Sequence, residues 1–326
     1  SSSGNISVLG GDNLSQAAAG DITASASGKT VDIAAAGAVT MADGAEAQTT
    51  DGNIRYQAGG NILLGSLTTG TAGSTTGIVG LVSGGNILDL SDSAATDVTA
   101  GSLLATATGS FGYDGTTLNA IETSVDTLTV KSTGGSIFVD ESNGVTVGSV
   151  TVSVNRVAST GISSATTAVV QEDLAASGNL VAVIENGGLT IGGGTASAAT
   201  GVSAGGNILL QTLDTTEGTS TNADIVINAS VVSSSGNISV LGGDNLSQAA
   251  AGDITASGSG KTVDVAAAGS VTMADGAEAQ ASGGNIRYTA GTTMVLGQLT
   301  TTGDVSLVAT SMTDAGSGSG DTVNVT

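Results

Sequence analysis

"SSSGNISVLGGDNLSQAAAGDITAS", Ser1–Ser25, returns without a change at Ser233–Ser257. At the same offset of 232, residues 1–59 match residues 233–291 at 52 of 59 positions, and after Gly59 the copies diverge. The changes include Ala26 to Gly258, Ile33 to Val265 and Ala38 to Ser270, small swaps that a packed template tolerates. Repetition decides the reading, because a segment that recurs has to pack against others of its own kind. The chain is read as a first long unit, 1–232, and the start of a second copy, 233–326, with no linker between them.

Within the repeat the phrase Gly-Asn followed by Ile or Leu occurs at Gly4, Gly52, Gly60, Gly85, Gly178, Gly206, Gly236 and Gly284. After it the sequence alternates: Ile6 and Val8, then Ile54, Tyr56 and Ala58, fall on one side, as do Ile225, Ile227 and Ala229 of "ADIVINAS". Period two is the strand signature. Gly and Asn accept the left-handed backbone of a corner, so the phrase reads as a turn that feeds an inward-facing strand. "VTVGSVTVSV" reads as one more stretch of this kind, with Val145, Val147, Val150, Val152 and Val154. No window carries a helical stripe with caps.

Composition narrows the architecture. Of 326 residues 52 are Gly and none is Pro, which suits a chain in which nearly every residue joins a hydrogen-bond ladder. A solvated coil would not carry 39% hydrophobic residues. Those residues are mostly Ala, Val, Ile and Leu, with Phe 2, Tyr 3 and Trp 0, so the core is thin and aliphatic. A sandwich would bring heavier aromatic cores and hairpin turns. The expectation is an all-β, right-handed parallel β-helix, a β-solenoid without helices. Three strands of about five residues joined by corners of about two would give coils of about 21 residues.

The phrases "GNILL", "GSIFVDESNGVTVGSV", "VDTLTVKSTGG" and "DVTAGSLLATATG" resemble the repeats of filamentous-haemagglutinin-like large exoproteins and adhesins of the Gram-negative bacterial surface. The resemblance is one of repeat style over most of the chain. It implies a β-helical extracellular protein at the cell surface, two-partner secretion and a role in adhesion. The secretion domain that opens such proteins is not evident here.

Chemistry is sparse. With no His and no Cys, zinc sites, Cys-His nucleophiles and Ser-His-Asp triads are excluded. The net charge of −22 and the lack of a basic patch argue against nucleic acid as a partner. No apolar run reaches the length of a membrane-spanning helix. "GKT" at Gly28 and Gly260 lacks the first Gly of a phosphate loop, and "GSGSGD" at Gly316 lacks the strand-helix setting of a dinucleotide site. The sequons at Asn5, Asn13, Asn228, Asn237 and Asn245 are what a Ser- and Asn-rich chain yields by chance. "LGGDNL" makes Asp12 and Asp244 candidates for weak corner binding of a divalent cation such as calcium, against the simpler reading that they cap a turn. No other cofactor is implied.

A β-helical polysaccharide-processing enzyme or glycan-binding module is the alternative reading. Its carboxylates would come from Asp140 with Glu141 or Glu172 with Asp173, yet neighbours on a strand point to opposite faces. Tyr56 and Tyr288, the same repeat position, read as core fillers, and no Thr ladder of an ice-binding face repeats. The expectation is a non-enzymatic structural protein: the rod or fibre of a repetitive adhesin, or a self-assembling extracellular filament or biofilm matrix. The chain starts at Ser1 without Met and stops at Thr326 within a repeat, which reads as a portion of something longer. Its main partner would be itself, by head-to-tail stacking or covalent continuation along the axis, with Val323 and Val325 in the last coil, and beyond that a host or neighbouring cell surface.

Overall fold

The structure, a computed structural model, describes residues 1–70, 76–90, 95–113, 119–193, 200–213, 222–316 and 324–326. Val323 and the part of "GSGSGD" beyond Gly316 lie outside the described residues. Among the described residues there is no helix, and short strands paired in parallel make the chain an all-β parallel β-solenoid. It folds as two compact units, Ser1–Asp140 with Ser149–Glu172, and Glu141–Gly148 with Asp173–Thr326. The sequence repeat boundary at 232/233 falls inside the second unit.

In the first unit the quoted stretch is one coil, with strands Ile6–Gly10, Leu14–Gln16 and Ile22–Ala24 on three faces. Val31–Ala35 returns to the first face with Val31 opposite Ile6, Ile54 lies opposite Val31, and Val79 opposite Ile54, steps of 25, 23 and 25 residues. The second face continues through Val39–Met41, Ile62–Leu64 and Ile87–Asp89, and the third through Glu46–Thr49 and Ser66–Thr69. Two longer strands, Val98–Ala107 and Ile121–Ser132, run from the third face onto the first face of the next coil.

The first face of the second unit stacks Leu180–Ile184, Ile208–Thr212, Ile238–Gly242, Val263–Ala267, Ile286–Ala290 and Val305–Val308. Its successive partners Leu180, Ile208, Ile238, Val263, Ile286 and Val305 give steps of 28, 30, 25, 23 and 19 residues. The coils are thus mostly longer than the expected 21. The corners account for it: Gly11–Asn13, Ala17–Asp21 and Ser25–Thr30 hold three, five and six residues, while two of the three strands hold only three.

The Gly-Asn phrase works differently from its sequence reading. None of its eight glycines has a positive φ among the described residues. Instead, all eight asparagines, Asn5, Asn53, Asn61, Asn86, Asn179, Asn207, Asn237 and Asn285, use Oδ1 to accept a backbone N–H from the following coil at 2.8–3.0 Å. At a corner the strand ladder stops, and a side-chain acceptor is needed for the backbone donor above. The glycine makes room for it. A Cβ on Gly85 would lie 2.1 Å from Asn61 Oδ1, and one on Gly206 2.3 Å from Asn179 Oδ1.

The alternation fills the interior with Val, Ile, Leu and Ala, as expected. Tyr56 and Tyr288 are fully buried, and each O–H donates to a glutamine of the second face, Gln16 Oε1 at 2.9 Å and Gln248 Oε1 at 3.1 Å. Those glutamines donate in turn to the carbonyls of Glu46 and Glu278, both at 2.8 Å. Burial pushes both phenols above the ordinary tyrosine range.

"VTVGSVTVSV" is two elements. Val145–Val147 joins a parallel face, and after Gly148 the chain leaves the solenoid as an antiparallel hairpin. Its strands pair Val150–Val152 with Val169–Gln171 and Asn155–Val157 with Ser163–Ala165, around a turn at Gly161 with φ 79°. Period two marks both kinds of strand, so alternation alone could not separate them.

Candidate functional site

The hairpin lies along the outer first face of the first unit and is seated there by side chains of successive coils. Val157 N–H donates to Ser7 Oγ (2.8 Å), Asn155 N–H to Thr30 Oγ1 (2.9 Å), Asn53 Nδ2 to the Ser153 carbonyl (2.8 Å) and Asn5 Nδ2 to Ser163 Oγ (3.0 Å). Further along, Gln171 bonds Thr106 and Thr129, and Val150 and Val152 pack on Leu104. Val152 covers Gly80, where a Cβ would meet its Cγ1 at 2.8 Å.

At the centre of this contact is Asp32, whose side chain is 0% exposed. Its Oδ1 accepts from Arg55 Nε and Nη2 at 3.0 and 2.9 Å, and its Oδ2 accepts from Arg156 Nε of the hairpin at 2.6 Å. Among the described residues the repeat position Asp264 pairs with Arg287 alone, which forks across both oxygens at 2.7 and 2.6 Å, with 57% of the arginine side chain exposed. One sequence thus builds a buried ion triad in one copy and a surface pair in the other.

A second cluster joins carboxylates far apart in sequence: ligand oxygens of Asp89, Asp97 and Glu122 all lie within 4.8 Å of one another. Coil stacking makes the cluster, since Asp97 N–H donates to the Glu122 carbonyl at 2.9 Å and Glu122 N–H to Asp97 Oδ2 at 3.2 Å. Asp97 is 5% exposed and is pushed up to about 9, first by burial and then by the charges of Asp89 and Glu122. Burial also raises Glu122, while a hydrogen bond from protonated Asp97 works in the opposite direction. Burial and the two neighbouring charges thus favour the protonated form of Asp97. Three oxygens at this spacing suit a hard cation, yet calcium takes six to eight.

The residues singled out by sequence lie elsewhere. Asp12 and Asp244 occupy the corner between the first and second faces, where their carbonyls accept from Gly37 and Gly269 N–H at 3.1 and 2.9 Å. It is the adjacent Asn13 and Asn245 whose side chains accept from the next coil, at Ala38 and Ser270 N–H. Neither Asp12 nor Asp244 belongs to the three-carboxylate group. Asp140 is partly exposed and Glu141 buried, the alternation expected of strand neighbours, and Asp173 sits at a left-handed φ of 67°. The cluster at Asp89, Asp97 and Glu122 left no sequence signal beyond a spacing of 25 between Asp97 and Glu122, one coil in this unit.

Two outcomes follow from this geometry. Asp32→Ala leaves two arginines beside an empty site and lowers the stability of the first unit by about 3–5 kcal/mol, whereas Asp264→Ala costs about 1 kcal/mol or less; urea unfolding followed by backbone-resolved NMR compares the two. Because the folded pKa of Asp97 lies above its unfolded value, its contribution is complete below about pH 4 and is lost as pH rises toward about 9. Asp97→Asn, which mimics the protonated group, raises the unfolding midpoint at pH 9 relative to the parent and leaves it nearly unchanged at pH 4.

No family model, no curated protein and no solved structure matches the chain.

Proposed function

We propose that the chain is a structural element, the rod or fibre part of an extracellular surface adhesin or self-assembling filament, and that it propagates by stacking coil on coil. One observation carries this reading. The coil Ser1–Ser25 and the identical coil Ser233–Ser257 differ in burial: Ile6, Leu14 and Ile22 are part-exposed and Val8 is 39% exposed, while Ile238, Val240, Leu246 and Ile254 are buried. The difference is the coil beneath, which at Ile238–Gly242 is the strand Ile208–Thr212. Fully burying a Val, Leu or Ile is worth about 1.5–3 kcal/mol, so a coil of this sequence is completed by a neighbouring coil.

In the second unit the last strands are similar, with Val308 55% and Met312 43% exposed on strands that, among the described residues, pair on one side only. Unpaired strand edges of this kind template further pairing, and a contact between unlike ends propagates where it does not close into a ring. The extracellular setting and a role in adhesion rest on the style of the repeats. A mechanical role agrees with a surface whose side chains serve coil-to-coil bonds. No helix among the described residues is long and apolar enough to cross a membrane.

Electron microscopy of the native material tests the reading. Rods that lengthen with protein concentration, and that shorten when Val8→Lys places a charge on the uncovered coil, are expected. Discrete, monodisperse particles at every concentration would contradict it.

A further inference from the structure

The second copy carries an unused version of the seat that holds the hairpin in the first. In the first copy the tip is received by five residues, Asn5, Ser7, Thr30, Asp32 and Asn53. At the offset of 232 these are Asn237, Ser239, Thr262, Asp264 and Asn285, identical at all five positions. Their own framework is preserved as well: Thr262 N–H donates to Asn237 Oδ1 at 3.0 Å, as Thr30 N–H does to Asn5 Oδ1 at 3.0 Å. The strand register matches, with Val263 opposite Ile286 as Val31 is opposite Ile54.

What differs is the cover. Between Thr262, Asp264, Asn285, Arg287, Asp304 and Ser306 lies an open groove of about 320 Å³. Arg55, the partner of Asp32, is 6% exposed beneath the hairpin, whereas Arg287 stands in solvent. We propose that this groove is a docking site for the tip of the 149–172 hairpin of a second copy of this chain.

The chemistry of the tip fits the groove. Arg156 would meet Asp264, with Asp304 adding a second negative charge that the first seat lacks. Two rearrangements are needed: in the donor chain Arg156 leaves Asp32, which keeps Arg55, and in the acceptor Arg287, which now forks across both Asp264 oxygens, is drawn onto Oδ1 alone, as Arg55 is on Asp32, and frees Oδ2 for Arg156. Exchange of a segment between identical seats conserves its contacts, which makes such exchange a low-cost route to association. The match ends at the third coil. Ser306 faces Arg287 where Gly80 faces Arg55, so the room that Val152 uses over Gly80 is filled, and docking is confined to Ser153–Ser163. This contact is on a side face and does not depend on the end-to-end stacking proposed above.

The chain has no cysteine, which allows a clean trapping experiment. Full-length Val157→Cys is mixed with full-length Ser239→Cys under a mild oxidant, because Val157 reaches Ser7 in its own seat and would reach Ser239 in the other. Disulfide-linked heterodimers should accumulate about tenfold faster than with Thr313→Cys as acceptor, and adding Asp264→Ala to the Ser239→Cys chain should remove about tenfold of that rate, the scale of one charge-assisted hydrogen bond. Val157→Cys combined with Ser7→Cys, which closes within one chain, reports that the hairpin remains seated and reactive. Heterodimer formation no faster than the Thr313→Cys control, or unaffected by Asp264→Ala, would overturn the proposal.

Discussion

The interaction on which the rest of the molecule depends is the hydrogen bond from the backbone of one coil to that of the next. A strand of three to five residues is too short to be stable alone, and each coil presents polar edges that only another coil satisfies. The absence of proline, the aliphatic core and the Gly-Asn corners all serve this one requirement. At a corner, where strands cannot pair, the asparagine Oδ1 takes over as acceptor and the glycine above it yields the space.

Because completion comes from neighbours, identical sequence has unequal surroundings. Val8 is part-exposed and Val240 buried because of the coil below. Asp32 is buried and Asp264 is not because of the hairpin outside. The substitution of Asp51 by Gly283 shows the opposite case, in which the backbone is alike: both residues hold a left-handed corner, with φ 57° and 78°, which aspartate tolerates and glycine adopts freely.

The parallel β-solenoid, its aliphatic interior and the burial of Tyr56 and Tyr288 were legible in the sequence, since period two and residue size determine which side chains point inward. Four things were not. The coil length depends on corner residues that follow no periodicity. The hairpin of residues 149–172 alternates as solenoid strands do, and its antiparallel pairing and its contacts with Ser7, Asp32 and Asn53 are what distinguish it. The carboxylates Asp89, Asp97 and Glu122 meet through register between coils, and register was unknown until the corners were counted. Gln16 and Gln248 were also missed, because a lone glutamine in a strand gives no hint that its partner is a tyrosine 40 residues away.

Backbone amide exchange measured by NMR tests the central claim most directly, since the two coils share one sequence and hence one intrinsic exchange rate. Ile6 and Ile238 N–H both donate to the following coil, at Thr30 and Thr262 carbonyls, so by the alternation of a parallel ladder the amides of Ser7, Leu9, Ser239 and Leu241 face the other way. Stacking as the source of order predicts that Ser239 and Leu241, which lie on the strand Ile208–Thr212, exchange at least about a hundredfold more slowly than Ser7 and Leu9. Equal rates at the paired positions would show that a coil holds its structure without the one beneath it, and would contradict the account.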